Sequence, residues 1–372
     1  MSADRPSYQP LRLTIARERR GLSKTALADL VDLSPRRISS FEREGDDVPP
    51  DSTLEGLAAA LGFPVGYFRR PVEAEPVSDA VSFRAQSRMS ATSRKGALAS
   101  AQIAIELAEY LDDRLHLPPP DLPDLRDVGP TEAASALRAL WGLGTDPAPN
   151  LVHLLESRGV RVFSIVEEYS GLDAFSMWAD GTPFVFLTRH KTPERGRWDA
   201  AHELGHLLLH LEVAPGDAKN REAEADEFAR EFLMPARAVD ARATLPASLR
   251  SVRYDKVWWG VSAMAYLRQL KELGILTDWK YRALIIDASE AGLRKDEGDI
   301  DRETSSLLPK ALELLASQGI SVHDIAAALD VDVSELAGLT FQTIVATAGG
   351  GRSSPPRRGH LRIVGDLAAG DS

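Results

Sequence analysis

The chain has 372 residues, 44% of them hydrophobic, and no cysteine; it can bury more than one core, while disulfides, thiolate metal sites and a redox switch are excluded. A formal charge of −11 excludes a protein that coats nucleic acid along its length, although it leaves room for one small basic reading surface. The opening MSADRPSYQP lacks an apolar stretch and no run of about 18 apolar residues follows that would span a bilayer, so the cytoplasm is the expected address.

In chain order, the first elements are short helices separated by polar turns. Leu11, Ile15 and Arg19 mark one amphipathic stretch that stops at Gly21; Leu27, Leu30 and Val31 mark a second, Ile38 and Phe41 a third, and Leu54, Leu57, Ala58 and Leu61 a fourth ended by Gly62. Ser23 is positioned to cap the second helix, Ala28 to sit at a tight crossing, and Ser34 to start the third helix. This stretch resembles an XRE helix-turn-helix of the Cro and lambda-repressor type. The resemblance implies that the third helix enters the major groove, with Ser34, Pro35, Arg36 and Ser40 facing bases, Arg36 as the guanine reader, and Lys24 and Arg37 on phosphates. It also implies binding to a double-stranded DNA operator as a homodimer, since one short helix reads too few bases. A protein-docking module is the other reading of these helices.

After Phe68, proline and charge break the periodicity through PVEAEPVSDAVSFRAQS, a linker. Helical spacing returns from Lys95 to Leu115 and ends in HLPPPDLPDL, which marks a bridging helix. Helices are expected around Ala133 to Leu140 and Leu151 to Ser157. VRVFSIVE and DAFSMWADGTPFVFLTR then read as strands of a small antiparallel sheet with a turn at Asp180-Gly181.

The next segment carries chemistry. In RWDAAHELGHLLLH, four residues of helix turn through about 400°, so His202 and His206 lie roughly 40° apart on one face and can address one ion. Glu203 lies on the neighbouring edge, where this motif assigns it the general-base role. A catalytic zinc site needs a third protein ligand. The helix in NREAEADEFAREFLMP offers Glu222, with Asp226 one turn on to orient a ligating histidine from behind, the Glu-x-x-x-Asp pattern of gluzincins. Glu224 competes for the third position but points about 200° away from Glu222. His210 reads as a neighbour of the site or a surface residue, since the spacing does not fit a metzincin. His153, His190 and His323 read as isolated, and Trp258-Trp259 as packing residues or the lining of a groove.

The run RWDAAHELGHLLLH followed by EAEADEFAREFLMP resembles the ImmA/IrrE family of bacterial metallopeptidases, strongly over about residues 150 to 240. The resemblance implies metal ligation by His202, His206 and Glu222, with Glu203 catalytic, and cleavage or removal of a repressor. Asp226 stands where many members carry asparagine; either accepts a hydrogen bond from imidazole. Zinc is the expected metal, with manganese open to the same ligand set.

Farther on, Val257 to Gly274 is amphipathic, LLPKALELLASQG and SVHDIAAALDV read as short helices, and the Gly-, Pro- and Arg-rich end as disordered. No internal repeat is evident. The expected fold is α+β and mostly helical: a helix-turn-helix domain over 1–72, a linker and bridging helix over 73–130, a gluzincin-like metallopeptidase domain over 131–245, a helical region over 246–345 and a tail over 346–372. Two functions are open to such a chain. It is either a DNA-binding regulator whose zinc endopeptidase domain cleaves a repressor or antitoxin protein, or a one-component transcription factor whose peptidase-like domain senses a metal or small ligand without proteolysis.

Overall fold

The computed structural model describes residues 7–72, 82–83, 90–165, 169, 171–210, 218–294, 298–344 and 362–363. Most of the expected linker before residue 90, and all of the expected disordered tail but Arg362–Ile363, lie outside them.

The fold is α+β and mostly helical. At the N-terminal end, α1 (Pro10–Arg19), α2 (Lys24–Leu30), α3 (Pro35–Phe41) and α4 (Asp51–Leu61) are followed by a 3₁₀ turn at Val65–Arg69. Their boundaries have local causes. Ser23 accepts a hydrogen bond from the Ala26 amide and Ser34 from that of Arg37, so each hydroxyl satisfies a first-turn donor that the helix itself cannot. Leu13, Leu27, Ala28, Ile38 and Phe41 are fully buried between these helices.

The long helix α5 (Ala91–Asp112) leads through β2 (Leu115–His116) to α6 (Pro130–Leu140) and α7 (Leu151–Ser157). The main sheet is formed by β1 (Ser82–Phe83), β3 (Arg161–Ile165), β4 (Ala174–Ala179) and β5 (Thr182–Thr188), in the order β1-β4-β5-β3. The sheet is mixed, not wholly antiparallel as expected. Asp180 and Gly181, both at positive φ, close the antiparallel hairpin β4–β5, but β5 then inserts beside β3 and runs parallel to it. A separate pair joins β2 to β6 (Arg362–Ile363).

This sheet separates two cores. Along β5, Phe184 and Phe186 face a core shared with α5 and the N-terminal helices, whereas Val185 and Leu187 face the core around α6, α7 and the helices that follow. Those are α8 (Pro193–Leu209), α9 (Ala218–Leu233), α10 (Ala236–Arg242), α11 (Leu249–Trp259), α12 (Ala263–Glu272) and α13 (Asp278–Glu290). The last three, α14 (Leu307–Ser317), α15 (Val322–Ala328) and α16 (Val333–Leu339), return to the first core.

The chain does contain an internal repeat, contrary to the sequence expectation: α14–α16 reproduce the frame of α1–α3 position for position. Gly21 and Gly319 turn at positive φ, Ser23 and Ser321 cap the middle helix, and Asp32 and Asp330 hold φ of 53° and 52° in the turn. The turn is closed by the same bond, Leu33 N to Ala28 O at 2.9 Å and Val331 N to Ala326 O at 3.0 Å. Leu27 and Ile325, Ile38 and Leu336, and Phe41 and Leu339 fill matching buried positions. Gly21 and Gly319, Ser23 and Ser321, Ala28 and Ala326, and Asp32 and Asp330 are identical pairs, while most exposed residues between them differ.

Buried ion pairs hold the first frame to the rest. Arg12 pairs with Glu106 of α5 at 2.6 Å, and Glu335 of α16 takes both Arg19 at 2.9 Å and Arg20 at 2.5 Å. The Arg19 guanidinium also donates to the Tyr169 hydroxyl, 3.1 Å away, which donates back to the Arg19 carbonyl.

Candidate metal centre and nucleic-acid interface

Pro193, whose missing amide hydrogen costs nothing in a first turn, opens α8, and every side chain from Asp199 to Leu209 on it is buried. The helix lies across β4 and β5 on one side and α9 on the other. Gly205 sets the second contact. A Cβ there would stand 3.0 Å from Phe228 Cδ1 and 3.3 Å from Ala225 Cα, so only glycine lets α9 approach this closely without displacement. Because Glu222 lies one turn before Ala225, the close crossing brings its carboxylate to the histidines.

Three ligand atoms converge. His202 Nε2 is 3.1 Å from His206 Nε2, 3.4 Å from Glu222 Oε2, and Glu222 Oε1 is 3.3 Å from His206 Nε2. Bonds of about 2.0–2.2 Å in a tetrahedral shell require edges of about 3.4 Å, so the spacing fits an ion of zinc's size. Protonation also suits. Burial pushes the His206 imidazole down to about 4, so it stays neutral. Burial alone would raise Glu222, but hydrogen bonds with His202 and His206 outweigh it and hold the carboxyl at about 2. A neutral imidazole and an ionised carboxylate are what ligation needs.

Behind each histidine stands another group. His202 Nδ1 is 2.9 Å from Asp226 Oδ1, which the Trp198 indole also approaches at 3.4 Å. His206 Nδ1 is 2.9 Å from His210 Nδ1, and His210 Nε2 is 2.8 Å from Glu224 Oε2. Glu224 is therefore turned away from the ligand cluster, toward His210. Glu203 is fully buried, and its Oε2 accepts a hydrogen bond of 2.7 Å from Ser176 on β4. Ser176, Trp198 and the contact of Glu224 with His210 gave no signal in the sequence, because each partner arrives from another element. Trp259 is buried in the core and Trp258 is half exposed under the Arg242 guanidinium; neither joins the cluster.

The other expected site lies on α2 and α3. Ser34, Pro35, Arg36 and Arg37 are exposed and Ser40 is half-buried. Arg37 is paired with Asp47 and stacks 4.8 Å from the Phe41 ring centre, and Lys24 lies 3.2 Å from Glu42, which also binds Arg17. Of the three cations, Arg36 alone has no ion-pair partner among the described residues.

Two family models match the chain. Residues 11–66 match a helix-turn-helix domain, and residues 155–271 match the IrrE N-terminal-like domain of the M78 peptidases. No curated protein matches it. The chain thus joins an XRE-like helix-turn-helix domain to an ImmA/IrrE-like peptidase domain, and among the described residues no helix is long and apolar enough to cross a membrane.

Proposed function

We propose that this protein is a DNA-addressed zinc endopeptidase, in which His202, His206 and Glu222 hold the metal, Glu203 is the general base, and the substrate is a repressor or antitoxin protein. The observation that carries the reading is the set of three ligand atoms 3.1–3.4 Å apart beside a buried carboxylate. A divalent ion held there supplies Lewis acidity toward water and a peptide carbonyl. Glu203 takes the proton from the attacking water and returns it to the leaving amine, while the Ser176 hydroxyl keeps the carboxylate oriented. Asp226 accepts from His202 and so directs that ring's other nitrogen toward the cluster. The helix-turn-helix domain, acting as a homodimer in the cytoplasm, brings this chemistry to an operator, with Arg36 on a guanine edge and Ser34, Pro35 and Ser40 beside it.

A second reading has its own support: the buried pairs of Arg12 with Glu106 and of Arg19 with Glu335 tie the reading head to the body. That connection suits a one-component regulator in which metal occupancy changes DNA binding without proteolysis. Glu203→Gln separates the two. The purified variant should keep one zinc per chain and normal DNA binding while cleavage of co-expressed regulators falls about 10²–10⁴-fold. Wild-type regulation in a strain carrying Glu203→Gln, with regulation lost in His206→Ala, would sink the peptidase reading and leave the sensor.

A further inference from the structure

The contact between His206 and His210 joins two Nδ1 atoms, and a hydrogen bond there needs one of them bare and one protonated. The far end of the row decides which. Glu224 Oε2, 2.8 Å from His210 Nε2, is a carboxylate oxygen and only accepts, so His210 carries its hydrogen on Nε2. A neutral imidazole has one N–H, which leaves His210 Nδ1 bare. With a cation in place of the proton between His206 Nε2 and Glu222, His210 Nδ1 therefore accepts from His206 Nδ1–H, 2.9 Å away, and His206 Nε2, the atom facing His202 and Glu222, is left to ligate. Asn220 Nδ2 donates to the second oxygen of Glu224 at 2.7 Å and fixes the carboxylate that begins the row.

We propose that His210 and Glu224 are positioning residues for the metal: through two successive hydrogen bonds they impose the tautomer and ring orientation in which His206 ligates. The two histidine ligands are thus supported differently, His202 directly by a carboxylate and His206 through an intervening imidazole. The inference rests on the metal trio of the proposed function but not on proteolysis, so it is tested by affinity alone.

The measurement is competition between the full-length protein and a fluorescent zinc chelator, with a urea midpoint for each variant to show that it folds. His210→Leu fills the space without accepting and should weaken zinc binding about 10–100-fold. His210→Gln, whose side-chain carbonyl can accept from His206 Nδ1–H, should recover most of that loss, which a merely space-filling role would not produce. Glu224→Ala should lose affinity in the same direction and Glu224→Gln, still an acceptor, should lose less. Wild-type affinity in His210→Leu, or a His210→Gln variant no better than His210→Leu, would overturn the proposal. A wild-type protein that takes up no zinc would overturn the metal trio itself, which is a separate result.

Discussion

The two helix-turn-helix frames of this chain share their turns, caps and core, yet differ in what happens to the third helix. On α3, Pro35, Arg36 and Arg37 stand in solvent; on α16, the residue matching Arg37 is Glu335, buried beneath Arg19 and Arg20. The α16 end is also held by the sheet, where the Ser164 hydroxyl donates to the Gly338 carbonyl and accepts from the Phe341 amide. The second frame therefore offers a third helix with no cation at the matching positions: Asp332 and Ser334 are exposed, and Glu335 is buried. The frame is a packing solution; competence to read an anionic groove is added by the exposure and charge of one helix face.

The comparison is most severely tested by exchanging charge at the matched pair. Glu335→Lys leaves the buried Arg19 guanidinium, and the partly exposed one of Arg20, without their acid and should cost about 3–5 kcal/mol in urea unfolding. Arg37→Glu, at an exposed pair, should cost under about 1 kcal/mol of stability. Equal costs would mean that α16 is not sealed in solution.

Truncation of the shared core comes next. Leu27→Ala and Ile325→Ala remove matching side chains that are both fully buried, and each should destabilise by about 2–5 kcal/mol. A negligible cost for Ile325→Ala would show that the second frame is loosely packed and that the resemblance stops at the backbone.

DNA binding should separate the frames by a smaller amount. Arg36→Ala should lose about 1–3 kcal/mol at one base position in gel-shift titrations over operator variants, whereas Ser334→Ala, at the matching place on α16, should change nothing. Lys24→Ala should weaken all sequences alike and flatten the salt dependence by about one phosphate contact, reduced by whatever Glu42 already takes from that lysine. Loss of binding in Ser334→Ala would give the second frame a reading role and break the contrast.

The mildest changes are at the caps. Ser23→Ala and Ser321→Ala each remove one hydroxyl acceptor from a helix start and should each cost about 1 kcal/mol in thermal unfolding. Similar values would sharpen the equivalence of the two frames, since the cap is among the few features they share by chemistry alone.

What the sequence determined by itself is local. Ser23 and Ser34 as caps, the stop at Gly62, and the Asp180-Gly181 hairpin are legible because each depends on a few neighbouring dihedrals and one hydrogen bond. The four-residue interval that sets His202 and His206 on one face is equally local, being a property of helix pitch. The tertiary structure decided everything that needs two elements to meet. Gly205 shows its purpose only where α9 crosses it, and that crossing brings Glu222 to within 3.3–3.4 Å of the histidines. Ser176 reaches Glu203 because β4 lies under α8, and Glu224 reaches His210 because α9 lies alongside it. The parallel pairing of β3 with β5 and the burial of Glu335 are of the same kind: an alternating or amphipathic pattern says which face seeks cover, and only the assembled fold supplies the surface that covers it.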